Sequence, residues 1–186
     1  IKQIIMEYKI TGCVFDLDGT LADTAPDIAI ALNNSLNDAG LRQVPLESVK
    51  EMIGNGIPVL VRRALFHIEA PEDLAADVIT SMLAYSRKYY CEKSSLMHGV
   101  KDCLEGLKKR GIPMSICTNK DETVAQMVVS ALDLNSYFYA IVGSRPNLVK
   151  KPDPSMLQIA AEAINSPMET TMMIGDSEVD AATGIA

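Results

Sequence analysis

The sequence lacks long apolar runs, any excess of basic residues and closely spaced cysteine pairs. Its net charge is −7 over 186 residues. Because nucleic acids and anionic membranes bind preferentially to basic surfaces, neither is expected as a partner. The apolar runs are too short to cross a bilayer, and the first ten residues mix Lys and Glu with apolar side chains, so no signal-peptide core is predicted. The chain starts without Met, so we expect some N-terminal trimming.

The few cysteines and histidines argue against a disulfide framework and a zinc site. No CxxC pair occurs among the four cysteines, and Cys13 and Cys117 fall in predicted buried strands. His67 and His98 are far apart in sequence, and neither has a partner at a metal-ligand spacing. This usage is typical of reduced thiols, so a cytoplasmic location is predicted.

What the sequence does contain is a pair of aspartates directly after an apolar stretch. Asp16 and Asp18 follow the run 10–15, with Gly19 and Thr20 behind them. In a strand, residues two apart point the same way, so both carboxylates are predicted to emerge side by side. Their repulsion would be unfavourable in a buried strand, whereas a bound cation removes it. Two hard oxygen donors at one strand end indicate a magnesium site.

The pattern of apolar residues divides the chain into two regions. Helical periodicity fills a block from about residue 22 to 92, with no strand signal. From Gly99 onward, strands at 113–117, 138–142 and 171–174 alternate with helices. Strands separated in this way predict βαβ units and a parallel sheet. We therefore expect an α/β core whose first strand is separated from the rest by a helical insertion.

The predicted strands all end in polar or glycine-containing segments. Functional groups in parallel sheets gather at the carboxyl ends of the strands. These ends are Asp16, Thr118-Asn119, Gly143-Ser144 and Gly175-Asp176. They are suited to binding a phosphate and a metal.

Four motifs together resemble those of the haloacid dehalogenase (HAD) superfamily of phosphohydrolases. They are Asp16-x-Asp18-Gly19-Thr20, Thr118-Asn119, Lys151-Pro152 and Gly175-Asp176-Ser177-x-x-Asp180. The resemblance implies a Rossmann-like core in residues 1–21 and 93–186 and an α-helical cap domain in residues 22–92. Segments 16–29, 53–56 and 63–65 look most like phosphoglycolate phosphatases. Phosphatases of this type continue into one more strand, so we expect the final core strand to be missing here.

The same resemblance implies how the acidic residues act. Asp16 would be the nucleophile that forms an aspartyl-phosphate, and Asp18 the general acid and base. Magnesium would be held by the Asp16 carboxylate, the backbone carbonyl of Asp18 and Asp176. Asp180 would act through a metal-bound water or by orienting Lys151.

The remaining implied roles concern the phosphate and the substrate. Thr118 would donate its hydroxyl to a phosphoryl oxygen, and the Asn119 backbone N–H would add a second donor. Lys151 would supply a fixed positive charge. Gly19 would allow a turn that brings backbone N–H groups toward the phosphate, and Arg63 would contribute to substrate binding.

The function implied is magnesium-dependent hydrolysis of a small phosphate monoester, with 2-phosphoglycolate favoured. The partner would be a small phosphorylated metabolite, and the protein a cytoplasmic monomer or homodimer. A sugar-phosphate phosphatase or a phosphomutase would use the same core. A phospho-receiver module also clusters aspartates with a lysine, although Lys151-Pro152 and the helical block have no role in one.

Overall fold

The computed structural model describes residues 9–186 and divides the chain into two compact units. One unit comprises the chain through Ala22 together with Leu96–Ala186, and the other is Asp23–Ser95. The helical insertion was predicted at residues 22–92, so its observed bounds differ by one residue at the start and three at the end.

The helices and strands of the described residues follow the predicted alternation. In chain order they are β1 (Gly12–Phe15), β2 (Ala22–Asp23), α1 (Ala25–Asp38), α2 (Leu46–Lys50), α3 (Ile57–His67), α4 (Ala75–Lys88), β3 (Ser95–Leu96), α5 (Val100–Lys108), β4 (Met114–Asp121), α6 (Glu122–Ala131), β5 (Ile141–Ser144), α7 (Ser155–Glu162), β6 (Thr171–Ile174) and α8 (Glu178–Ile185). Single turns of 3₁₀ helix lie at Glu72–Leu74, Asn135–Tyr137 and Met168–Thr170.

The first unit is built on a parallel sheet with the strand order β5-β4-β1-β6 in the described residues. Every neighbouring pair is parallel, with Cys13 opposite Met114 on β4 and Phe15 opposite Ile174 on β6. β1 is fully buried because both of its edges are paired and both faces are covered. The predicted α/β, Rossmann-like core is therefore confirmed. β6 forms one edge of the sheet of the described residues.

Of the strands predicted after Gly99, two differ from their predicted bounds. β4 was expected to end at Cys117 but continues to Asp121, with an irregularity in its pairing to β5 after Cys117. The continuation carries polar side chains, which an apolar-run criterion does not detect. β5 begins at Ile141 rather than at Phe138.

One helix fixes the sheet by packing on its central strands. Met156 and Ala160 of α7 contact a buried cluster that includes Val14 and Cys117. The Ser115 hydroxyl of β4 donates to the Ala160 carbonyl at 2.7 Å, so its burial leaves no polar group unpaired. Parallel strands held in this way present all their carboxyl ends at the same edge of the sheet.

The second unit is a helical bundle around an apolar core. Its buried side chains include Leu32, Leu36, Leu65 and Met82. The chain enters this unit through β2 and leaves it through β3, and these two short strands pair with each other. Within the unit, the buried Asp27 accepts hydrogen bonds from the backbone N–H groups of Lys93 and Ser94, at 2.8–3.0 Å.

Within residues 9–186, no helix has both the length and the apolar character that crossing a bilayer requires.

Candidate active site

The first aspartate of the motif lies at the carboxyl end of the central strand. The Asp16 backbone N–H donates to the Ile174 carbonyl at 2.8 Å, which extends the pairing of β1 with β6 by one residue. Asp16 is only 7% exposed. Its Oδ1 atom has no hydrogen-bond partner among the described residues. A buried carboxylate oxygen without a hydrogen bond is unfavourable, so this position indicates a site for a ligand.

The nearest positive charge to Asp16 comes from the loop before α7. Lys151 Nζ lies 3.1 Å from Asp16 Oδ1, in ion-pair range but outside hydrogen-bond geometry, and 2.5 Å from Asp180 Oδ1. Burial alone would lower the pKa of Lys151, but the carboxylates of Asp16 and Asp180 outweigh it and the pKa is raised. Lys151 is therefore a fixed cation at the buried side of the site.

The charge on Asp16 is not fully compensated by this lysine. Burial raises the pKa of Asp16 to about 6, against the lowering effect of Lys151, and the charges of Asp180 and Asp18 raise it further. Ionisation of Asp16 is thus less favourable in the protein than in water and would be favoured by a bound cation.

Asp180 is held in place by the start of the last helix. Its Oδ2 accepts from the Ser177 hydroxyl at 2.5 Å and from the Ser177 backbone N–H at 3.1 Å. The Ser177 side chain in return accepts from the Asp180 backbone N–H, which completes a capping box at the N-terminus of α8. Because Lys151 donates to its Oδ1, Asp180 has partners on both carboxylate oxygens.

Asp176 is the exposed member of the acidic group. It follows β6, and its Oδ1 accepts from the Thr20 hydroxyl at 2.6 Å. A Cβ atom at Gly19 would overlap the Asp176 carboxylate, and Gly19 has a φ of +85°, so only glycine fits there. The Gly19 N–H donates to the Ala22 carbonyl at 2.8 Å. Gly19 thus makes room for Asp176, and its own N–H is already engaged in the turn.

Three carboxylates in this region have a geometry that suits a cation. Oxygens of Asp16, Asp176 and Asp180 all lie within 4.8 Å of one another. Asp16 contributes the unbonded buried oxygen and Asp176 an exposed carboxylate. This oxygen-only donor set suits a hard divalent ion. That the ion is Mg²⁺ stays a prediction from the sequence.

The end of β4 places the second motif next to Lys151. Thr118 and Asn119 are both buried. The Asn119 amide donates to the Lys151 carbonyl at 3.1 Å, and its Oδ1 accepts from the Lys151 backbone N–H at 2.9 Å. The sequence assigned Asn119 a role through its backbone N–H, whereas its side chain also fixes the backbone that carries Lys151.

The second aspartate of the motif is paired with a lysine that sequence analysis did not single out. Lys120 Nζ lies 2.8 Å from Asp18 Oδ1, and the two side chains are 11% and 13% exposed. The Lys120 backbone N–H donates to the Thr118 hydroxyl at 3.3 Å. Asp16 and Asp18 therefore face different lysines.

One predicted substrate-binding residue lies in the other unit. Arg63 is an exposed residue of α3, and its guanidinium donates to the Met52 carbonyl at 3.0 Å. Nearby, Gly54 and Gly56 have φ values of +119° and +80°. These backbone conformations favour glycine, so they account for the presence of glycine at both positions.

Four residues of the site were missed or incompletely described by sequence reasoning. Ser177 could have been found from the Ser-x-x-Asp spacing of a capping box, and Thr20 from its place in the first motif. Lys120 and the side-chain role of Asn119 depend on partners 102 and 32 residues away in the sequence. No local pattern shows such pairings.

Carboxylates and a buried lysine thus lie together at the carboxyl edge of a parallel sheet, where α/β proteins bind their ligands. The model of the haloacid dehalogenase-like hydrolase family matches residues 13–186. The chain belongs to this family.

Two similar proteins with curated names are phosphoglycolate phosphatases. The enzyme of Colwellia psychrerythraea is 36% identical over 172 residues, which are 90% of this chain and 76% of that protein. The enzyme of Pseudomonas fluorescens is 37% identical over 172 residues, 90% of this chain and 62% of that protein. The chain thus spans between about three fifths and three quarters of the length of these two relatives.

A solved structure shows the same fold. The crystal structure of a predicted phosphoglycolate phosphatase from Haemophilus somnus superposes with a TM-score of 0.86 at 28% identity, over 95% of this chain and 81% of that one. The predicted resemblance to the HAD superfamily, and within it to phosphoglycolate phosphatases, is confirmed. The predicted enzyme class, phosphoric monoester hydrolases, is the class of these relatives.

Proposed function

We propose that this protein hydrolyses a small phosphate monoester, with Mg²⁺ as cofactor and through a phosphoryl group carried on Asp16. The observation that supports this most strongly is the buried Asp16 carboxylate, which has an unbonded oxygen beside Lys151. A carboxylate with one oxygen left without a hydrogen bond, beside a fixed cation, can act as a nucleophile.

In the first step, Asp16 attacks phosphorus. The bond between phosphorus and the ester oxygen breaks as the bond to Asp16 forms, and Asp18 gives its proton to the departing alkoxide. The products are an alcohol and an aspartyl-phosphate. Lys151 offsets the negative charge that Asp16 and the phosphoryl oxygens bring together, and the Thr118 hydroxyl donates to one of those oxygens.

In the second step, water attacks the same phosphorus atom. Asp18, now ionised, takes a proton from the water as the bond between phosphorus and Asp16 breaks. Inorganic phosphate leaves, and both aspartates return to their starting protonation states.

The metal would be held by the carboxylates of Asp16 and Asp176 and by the backbone carbonyl of Asp18. When bound, Mg²⁺ supplies positive charge that polarises the phosphoryl oxygens and favours the ionised form of Asp16. Asp180 keeps Lys151 in position beside this group through the ion pair between them.

The substrate that we propose is 2-phosphoglycolate, which would yield glycolate and phosphate. The names of the curated relatives support this choice. We further propose that the helical insertion acts as the cap domain of this family, and the part of Arg63 in substrate binding stays a prediction. The protein is expected to act in the cytoplasm, as a monomer or homodimer.

Phosphate release from a panel of monoesters tests this function. Purified protein with Mg²⁺ should release phosphate from 2-phosphoglycolate with a higher kcat/KM than from sugar phosphates, and EDTA should stop the release. Greater activity on a sugar phosphate would shift the assignment to a sugar-phosphate phosphatase. No turnover of any monoester would contradict the proposal.

A further inference from the structure

We propose that Lys120 is a positioning residue that holds the Asp18 carboxylate in place for proton transfer. The proposal deepens the function proposed above and rests on it for its catalytic consequence. The pairing of Lys120 with Asp18 is an observation on the structure and can be tested independently.

The two side chains come from strand ends that are adjacent in the sheet. β1 leads into Asp18 and β4 carries Lys120, and these two strands pair directly. Lys120 Nζ lies 2.8 Å from Asp18 Oδ1, the ordinary distance for a charge-assisted hydrogen bond. Lys120 is therefore held by the core sheet itself, and Asp18 lies only three residues beyond the end of β1.

The ion pair of Lys120 with Asp18 is more buried than the surface ion pairs of this protein. Lys120 is 11% exposed and Asp18 is 13% exposed, whereas in the pair of Lys50 with Glu47 the exposures are 44% and 80%. Exposed pairs contribute little because solvent screens them and both side chains stay mobile. A largely buried pair holds its side chains in a single arrangement.

The site thus gives each motif aspartate its own lysine. Lys151 lies beside Asp16 and Asp180, and Lys120 lies beside Asp18. Asp18 has to meet the leaving oxygen in one step and the attacking water in the next, at nearly the same place. An anchored carboxyl group serves both steps, first as the acid and then as the base, because a misplacement of about 1 Å can reduce a rate by roughly a hundredfold.

Kinetics of Lys120→Met and Lys120→Arg test the consequence for turnover. With 2-phosphoglycolate, Lys120→Met should lower kcat by roughly 10- to 100-fold with KM changed less than about twofold, and Lys120→Arg should recover part of kcat. Lys101→Met removes an exposed lysine from α5 and should match the wild type. An increase in KM with kcat retained would mean that Lys120 binds substrate directly, which would overturn the proposal.

A substrate whose leaving group needs no proton gives a sharper test of whether Lys120 acts through Asp18. The nitrophenolate of p-nitrophenyl phosphate leaves without a proton, so the first step does not need Asp18 as an acid. Lys120→Met should keep the rate of the nitrophenolate burst and slow only the steady state, because hydrolysis of the aspartyl-phosphate still needs a base. A burst slowed as much as turnover of 2-phosphoglycolate would contradict a positioning role.

Thermal unfolding tests the pair without any turnover. The melting temperatures of Lys120→Met, Asp18→Asn and the double variant should be non-additive, with the second substitution having less effect once the first is present. Additive shifts would show that the pair does not couple and would overturn the proposal. If the wild type hydrolysed no monoester while the cycle was non-additive, the proposed function would fail and the pairing would stand.

Discussion

The carboxyl edge of the sheet buries several charged residues, whereas the helical insertion buries mainly apolar ones. The edge buries Asp16, Lys151 and Asp180, whereas the insertion buries Leu65 and other apolar side chains. Burial of charge is unfavourable unless partners compensate it, and burial of apolar surface stabilises the fold. The difference indicates that the edge is organised for chemistry and the interior of the insertion for stability.

The glycines of the two regions show the same contrast. Gly19 and Gly54 both have positive φ, at +85° and +119°. A side chain at Gly19 would meet the Asp176 carboxylate, but no atom lies within 4 Å of a Cβ placed at Gly54. The first glycine is required by the site and by the backbone, and the second by the backbone alone.

The largest expected effect is the loss of activity in Asp16→Asn. An amide cannot form the aspartyl-phosphate, so kcat should fall by roughly a thousandfold or more. The substitution of an exposed aspartate, Asp102→Asn on α5, should change kcat less than about twofold. Phosphate release at saturating substrate measures both. Substantial turnover by Asp16→Asn would show that the reaction does not take place at the carboxyl edge of the sheet.

The next effect concerns stability in the insertion. Leu65 is 1% exposed, so Leu65→Ala should lower the free energy of unfolding by about 3 kcal/mol through lost burial and a cavity. Its neighbour Phe66 is 87% exposed, and Phe66→Ala should change that free energy by less than about 0.5 kcal/mol. Denaturant titration checks both variants. Equal effects would contradict the apolar packing described for this unit.

Asp16→Asn should also stabilise the metal-free protein. The pKa of Asp16 rises from 3.8 to about 6 on folding, so its ionisation opposes folding at pH values above both. At about pH 8 in EDTA the substitution should raise the free energy of unfolding by about 2–3 kcal/mol. The difference should shrink as the pH falls from about 6 and vanish below about 4, where Asp16 is protonated in both states. Calorimetry across this range would contradict the account if the substitution destabilised the protein at every pH.

The smallest effect is the difference between two glycine substitutions. Gly19→Ala and Gly54→Ala should each lose about 1 kcal/mol of stability from the positive φ. Gly19→Ala should lose at least about 1 kcal/mol more, because its methyl group overlaps Asp176. Chemical denaturation measures the difference, and equal losses would mean that Asp176 moves away freely.

The sequence predicted the sheet and the acidic residues because both leave local patterns. Alternation of strands and helices indicated the parallel core, and the paired aspartates marked the end of β1. The pairing of Lys120 with Asp18 spans 102 residues and depends on β1 lying beside β4. The bonds of the Asn119 side chain to the Lys151 backbone likewise follow from the approach of two loops. Neither could be predicted before the strand order was known.

The most direct test of the central claim is to trap the phosphoryl group. The protein is mixed with Mg²⁺ and substrate, quenched in acid during the first turnover, digested and mapped by mass spectrometry. The account predicts one added phosphoryl group on the peptide that contains Asp16, and none in Asp16→Asn. A phosphoryl group on another residue would contradict it.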